Sequence, residues 1–499
     1  MFSQFTNQFF EWLALAFIVA MGVAVLVVAV LFVIDRTQTG DAIRRNYPVI
    51  GRFRHLFTTL GEFFRQYFFA MDREEMPFNR AQRDWVHRAS EGKSNTIAFG
   101  STRNLTLPGT PIFINAAFPP LDEQSAKTES LLIGPSAAKP YMAPSIFNIS
   151  GMSYGAISKP AVQALSKGAK AANMWINTGE GGLSPFHLEA GCDIVFQMGT
   201  AKYGVRGPDG SLDDAKLRNI AMHDSVKMIE IKLAQGAKPG KGGILPASKI
   251  TPEIAEIRGI ESGQDSLSPN RHEEIDDWND LLDFICHVRD VSGLPTGIKT
   301  VAGERGAFRE LFALINERGP DCAPDFITLD GGEGGTGASP MPLMDHVGMS
   351  IREALPIVSA LRDSAGLKDR IRLIASAKMV TPADVAWAMC AGADFVTAAR
   401  GFMFSLGCIQ ALKCNKNTCP TGITTHDPRL QKGLVAEEKW KRVRNYAQNM
   451  VHDVETIAHS VGVSEPRKMR RRHVRIVQPD GTSVPLNELF DRYSHPTAS

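Results

Sequence analysis

The sequence predicts an α/β protein: a closed (β/α)8 TIM-type barrel preceded by a single N-terminal transmembrane helix. Three observations predict it. Residues Trp12 to Ile34 (WLALAFIVAMGVAVLVVAVLFVI) carry no charge over 23 residues. Eight short apolar, β-branched runs alternate with helix-period segments between residues 141 and 425, the pattern of a parallel sheet. Glycine-rich segments follow several of those runs, where the loops at the C-terminal ends of barrel strands hold an active site.

The N-terminal run comes first. A helix of that length covers a bilayer core of about 30 Å. A cleaved signal peptide is the rival reading, but Glu11 is the only charge before the run, and it ends at Asp35-Arg36 without a small-residue cleavage site. A retained anchor, residues 1–35, is therefore expected. Arg36, Arg44, Arg45, Arg52, Arg54 and Arg65 follow it, which by the positive-inside rule puts the body on the cytoplasmic side of a cell membrane crossed once. The Phe- and Arg-rich stretch 50–71 reads as a helix lying on the membrane surface or packed on the body. It belongs to a juxtamembrane lead-in, residues 36–140.

The barrel occupies residues 141–425. Its expected strands are Ser145–Ile149, Met174–Asn177, Ile194–Met198, Met228–Leu233, Thr296–Thr300, Asp325–Leu329, Ile371–Ala375 and Asp394–Thr397. Helices are expected at Lys159–Ala171, Trp278–Val291, Phe308–Arg318, Ile351–Ser364 and Pro382–Ala391. A helical, basic extension, residues 426–499, follows; its run Arg467–Arg475 suits either anionic lipid or a solvated surface. Composition is that of an ordinary globular chain, 43% hydrophobic and 22% charged. A net charge of +2 gives no field that would recruit nucleic acid.

Two motifs carry chemistry. Gly332-Glu-Gly-Gly-Thr-Gly337 matches G-x-G-x-x-G after a strand, but Pro340 and Pro342 follow at once. No helix then starts on the third glycine to hold a pyrophosphate, so a Rossmann site is excluded. A flavin against bare backbone fits, as does a plain tight turn. Cys408-x5-Cys414-x4-Cys419-Pro420 places three soft thiolate ligands within twelve residues. An iron–sulfur cluster, a zinc site completed by His426, or three buried thiols all fit the spacing. The other cysteines, Cys192, Cys286, Cys322 and Cys390, are expected in the core. Charged residues near the glycine loops include Glu180, Lys232, Lys238, Arg258, Lys299, Glu333 and Lys378. Lys299 ends a short apolar strand, where it would face the barrel mouth and stabilise negative charge on a reduced flavin.

Five stretches resemble, in order, the FMN-binding synthase domain of glutamate synthase, including its standalone membrane-anchored relatives: GMSYGAIS (151–158), NTGEGG (177–182), IKLAQGAKPGKGG (231–243), DGGEGGTGASP (330–340) and CIQALKCNKNTCPTG (408–422). The resemblance implies FMN at the mouth of the barrel and a [3Fe–4S] cluster on Cys408, Cys414 and Cys419. The cluster would relay electrons to FMN for reductive amination of 2-oxoglutarate by ammonia, giving L-glutamate. Glu180, Gln235, Lys238 and Arg258 correspond to the 2-oxoglutarate and ammonia region. Met152, Ser153, Tyr154, Gln197, Lys299, Gly331, Gly332, Gly334, Gly335, Gly337, Ala399, Arg400 and Gly401 correspond to FMN contacts. Ala375-Ser376-Ala377 stands where the family has Asp-Gly-Gly toward the FMN phosphate. A glutaminase domain is not expected, so the amino donor is ammonia or another amine. The electron donor is expected to be ferredoxin-like or a membrane reductase. The alternatives are other amine transfer on glutamate, as in N-methylglutamate synthase, or a non-catalytic membrane-anchored electron-transfer subunit.

Overall fold

The computed structural model describes residues 2–490. The chain divides into two compact units, Met1–Ala81 and Gln82–Ser499.

The first unit is helical. Helix α1 (Phe2–Thr37) contains Thr6–Thr37, long and apolar enough to cross a membrane, a property that signal sequences share. Helix α2 (Ala42–Asn46) is N-capped by Asp41, whose carboxylate accepts the Ile43 and Arg44 amides. Helix α3 (Ile50–Phe64) continues as one π-helical turn, Arg65–Phe69.

In the second unit eight parallel strands close a barrel. They are β1 (Phe147–Ile149), β2 (Ile176–Asn177), β3 (Ile194–Met198), β4 (Val226–Lys232), β5 (Thr296–Val301), β6 (Phe326–Asp330), β7 (Arg372–Ser376) and β8 (Phe395–Ala398). Each pairs with its neighbour in sequence, and β8 closes on β1 with Val396 opposite Phe147. Every residue of β3 and β6 is buried. Helices cover the outside and side chains fill the inside, so these strands read as continuous apolar runs without alternation. All eight expected strands are present, within about two residues at each end, and Lys159–Ala171, Ile351–Ser364 and Pro382–Ala391 are helices over those residues.

The N-terminal end of the barrel is plugged. A hairpin of Leu131–Ile133 and Tyr141–Ala143 packs Ile133, Tyr141 and Ala143 into a cluster with Trp175, Met228, Phe326 and Phe395. Trp175 meets the Tyr141 and Phe395 rings edge to face. The long helix Ala436–Val461 packs on Lys159–Ala171, and its Tyr446 hydroxyl donates to the Val380 carbonyl at 3.1 Å. The basic run is largely spent on structure. Arg467 donates to the carbonyls of Asp394 and Glu129, Arg471 to that of Pro356, and Arg475 to Ser483.

The cysteine expectation needs one correction. Cys192 and Cys390 are buried and free, but Cys286 and Cys322 are joined in a disulfide and are only half-buried. They lie 36 residues apart, one on the helix Trp278–Ser292 and the other in the turn Pro320–Cys322. That separation leaves no local spacing to read.

Candidate active site

The C-terminal strand ends and their loops enclose a cavity of about 200 Å³. Its base is set by the barrel interior. Glu230, buried on β4, accepts from Asn177 Nδ2 at 2.8 Å, Gln197 Nε2 at 2.5 Å and Thr328 Oγ1 at 2.6 Å. A carboxylate out of water needs such donors. Gln197 thereby spends an amide N–H downward while its side chain lines the cavity above. Gly151 lies over this network, and a Cβ there would stand 2.8 Å from Asn177 Oδ1.

One wall is ionic. Lys232, at the end of β4, pairs with Glu180 Oε1 at 3.0 Å and donates to Gln235 Oε1 at 3.0 Å. Glu180 fits because Gly199 and Gly243 leave it room; a Cβ on either would fall within 2.8 Å of its side chain. Burial opposes ionisation of Glu180, but Lys232, Lys238 and Arg258 outweigh it and hold the carboxyl below its usual range. Burial pulls the buried Lys238 ammonium down to about 8, with Lys232 adding to the fall and Glu180 resisting it. Arg258 ends the helix Pro252–Arg258, and its guanidinium reaches Ser266 Oγ at 3.3 Å and Ser153 Oγ at 3.4 Å. Its Nε is buried without a hydrogen-bond partner. Three cations around one carboxylate leave a net positive hollow.

The opposite wall is bare backbone. Gly335 and Gly337 line the cavity, and a Cβ on Gly335 would lie 2.7 Å from Arg400 Nε. Arg400 in turn donates to the Glu333 carbonyl at 2.9 Å. The helix after this loop starts at Met341, four residues beyond the last glycine, as the prolines require. A smaller adjoining hollow is lined by Lys299, Ser376, Ala377 and Arg400. Lys299 is buried there, 3.7 Å from Asp330 Oδ2.

The cysteine loop forms the rim. Cys414 lines the cavity together with Asn415 and Thr424. Lys249 ties that rim to the barrel, donating to the carbonyls of Ala156 at 2.6 Å and Cys414 at 3.2 Å. Gln410, Leu412 and Asn417 all have positive φ, so the loop holds a backbone that non-glycine residues adopt only when their surroundings impose it. The thiols feel one another's charge, Cys408 that of Cys414 and Cys419, and Cys414 that of Cys419. Burial pushes Cys408 up to about 11, and Cys414 and Cys419 add to the rise. Burial also raises Cys414, with Thr424 opposing, whereas hydroxyls of Thr421 and Thr424 bring Cys419 below its usual value despite burial. Among the described residues no three His, Cys, Asp or Glu side chains come together as a group that could hold a metal ion. His426 faces elsewhere: its Nε2 lies 2.8 Å from the Gly155 carbonyl, and its ring meets Tyr154 edge to face.

The residues named from sequence thus separate. Met152, Ser153, Gln197, Gly335, Gly337, Ala399, Arg400, Glu180, Gln235, Lys238, Arg258 and Cys414 line the main cavity, and Lys299 the smaller one. Tyr154 packs on Phe186 and donates to Glu253 at 2.6 Å. Gly331, Gly332 and Gly334 fold the loop itself: a Cβ on each would strike Glu333, the Gly348 carbonyl or Asp330. Gly401 abuts the Tyr446 hydroxyl at 2.2 Å from where its Cβ would lie. Cys408 and Cys419 line neither hollow. Lys249 and Ser268, outside the quoted motifs, line the cavity as well, with Gly243 and Thr336 from inside them.

Comparison with known proteins fits this geometry. Residues 116–464 match the family described as the conserved region in glutamate synthase. The glutamate synthase large subunit-like protein YerD of Bacillus subtilis is 38% identical over 96% of this chain and 98% of its own length. The archaeal-type glutamate synthase [NADPH] of Thermotoga maritima is 32% identical over 64% of this chain, which spans 60% of that enzyme. A glutamate synthase large subunit-like protein of Rhizobium meliloti is 30% identical over 79% of this chain and 87% of its own. The chain belongs to the glutamate synthase family.

Proposed function

We propose that the chain is an oxidoreductase that binds FMN in the barrel-mouth cavity and reductively aminates 2-oxoglutarate to L-glutamate. Electrons would reach the flavin through a [3Fe–4S] cluster held by Cys408, Cys414 and Cys419. The balance is one 2-oxoglutarate, one ammonium ion, two electrons and two protons, giving one glutamate and one water. The observation that carries the reading is the meeting, in one cavity, of a cationic wall, a glycine wall and the edge of a three-thiol loop.

The donor sets suit the groups. Three coupled thiols on one strained loop suit a soft, cationic iron–sulfur centre, which would relieve their mutual repulsion. Side-chain-free backbone at Gly335 and Gly337 suits a planar ring, and Lys299 and Arg400 suit the negative charge of a flavin phosphate or reduced ring. When bound, FMN supplies hydride and the cluster supplies single electrons.

The chain's own residues do the positioning. Lys238 and the unpartnered Nε of Arg258 offer charge-assisted hydrogen bonds to a dicarboxylate. Glu180, ionised beside Lys232, offers an anionic acceptor for the N–H groups of ammonium and so holds it in the cavity. Lys249 holds the cysteine rim against the barrel. N-terminal to this unit, α1 anchors the chain in a membrane. The test uses purified full-length protein, chemically reduced under argon and mixed with 2-oxoglutarate and ammonium. Reoxidation of the flavin with matching glutamate formation is expected; a flavin that stays reduced in the presence of both substrates would contradict the proposal.

A further inference from the structure

We propose that α3 and its π-helical continuation lie in the plane of a lipid bilayer surface, fixed there by a carboxylate–diguanidinium clamp at the end of α1. This rests on α1 being a membrane span.

The clamp is Asp35. Its carboxylate is fully buried and accepts from Arg44 Nε at 3.0 Å and Nη2 at 2.6 Å, and from Arg52 Nε and Nη2 at 2.7 Å each. It also accepts the Val49 amide at 3.0 Å. One acidic residue two positions before the end of α1 therefore binds α2 and the first turn of α3. Gly51 permits the close approach, since a Cβ there would stand 3.0 Å from the Arg44 Cα. Val49 takes φ +66 to complete the joint, a conformation a β-branched residue avoids unless the surroundings enforce it. The direction in which α3 leaves α1 is thus built in.

What leaves is an amphipathic helix about 22 Å long at 1.5 Å per residue. Ile50, Phe53, Phe57, Leu60 and Phe64 recur at the three- and four-residue spacing of one face, and Phe68 extends it. Ile50, Phe57 and Phe68 are each about two-thirds exposed or more. At 100° per residue Arg54 and Arg65 fall along one margin of this stripe, and both are exposed. An aromatic stripe edged by arginines matches the acyl–headgroup boundary of an anionic bilayer. That boundary is where α1 must leave the hydrocarbon, and the clamp keeps α3 at that point. Continuity with the span, together with the charge at its margin, selects lipid over a protein occupant.

The experiment uses the full chain in phosphatidylethanolamine–phosphatidylglycerol liposomes carrying a photoreactive acyl chain, with labelled peptides located by mass spectrometry. Labelling of both α1 and the 53–68 segment is expected. Phe53→Ser with Phe57→Ser should cut labelling of the segment severalfold while that of α1 persists. Labelling of α1 alone, or of the segment undiminished by the serines, would overturn the proposal. Absence of label from α1 would overturn the span on which it rests.

Discussion

At the scale of the residue, burial beside charge decides the chemistry. Lys238 is a cation held in a buried site, so its ammonium is easier to discharge than a surface lysine's. A charge-assisted hydrogen bond contributes about 1.5–3 kcal/mol, equivalent to roughly ten- to hundredfold in affinity. Lys238→Met should therefore raise KM for 2-oxoglutarate by about that factor, with a smaller effect on kcat; an unchanged KM would remove Lys238 from the substrate site. The sign of the pH effect follows. The binding form is the ammonium, present below about pH 8 and lost as pH rises through that value, so kcat/KM for 2-oxoglutarate should fall on the alkaline side. Lys238→Arg should move that limb to higher pH. Glu180, Gln235 and Lys238 were legible because each sits in a distinctive stretch after a strand, whereas Arg258, at the end of the helix Pro252–Arg258, was reached only through the family resemblance. Lys249 was not: a lone lysine in the short turn Ala247–Lys249 has no periodicity, and only the tertiary fold brings it to the Cys414 carbonyl.

Elements were more legible than single contacts. Strand and helix periods survive in sequence because the barrel buries its strands on both faces and its helices on one. Which glycine faces a ligand does not survive. Of the glycines from Gly331 to Gly337 only Gly335 and Gly337 line the cavity, while the others make room for neighbouring backbone and side chains. Gly168 is a similar case between elements, where Lys159–Ala171 crosses Ala436–Val461. Replacing a helical glycine with alanine ordinarily stabilises by about 0.5–1 kcal/mol. Here the new Cβ would lie 2.4 Å from Val443 Cγ1 and 2.5 Å from its Cβ, which a rotamer change cannot relieve. Overpacking of this kind costs about 1–3 kcal/mol, so Gly168→Ala should lower the midpoint of chemical unfolding; a raised midpoint would show that the two helices can separate.

For the whole molecule, the barrel converts five dispersed motifs into one site. Segments near residues 151, 180, 235, 335 and 414 meet because all follow the same ends of parallel strands, apart from the cysteine loop, which follows the helix Arg400–Leu406 after β8. That convergence is a property of topology and could be anticipated once eight strands were counted. The Cys286–Cys322 pair could not, because nothing in either local sequence refers to the other. In the proposed enzyme a flavin cavity and a three-thiol cluster share a wall at Cys414. The visible absorption spectrum of the purified full-length protein, with its iron content, tests it most directly against Cys414→Ala. Flavin bands with a superimposed sulfur-to-iron band are expected in the parent, and the variant should keep its flavin while losing the iron and that band. A parent without flavin bands, or a variant with undiminished iron, would contradict the account.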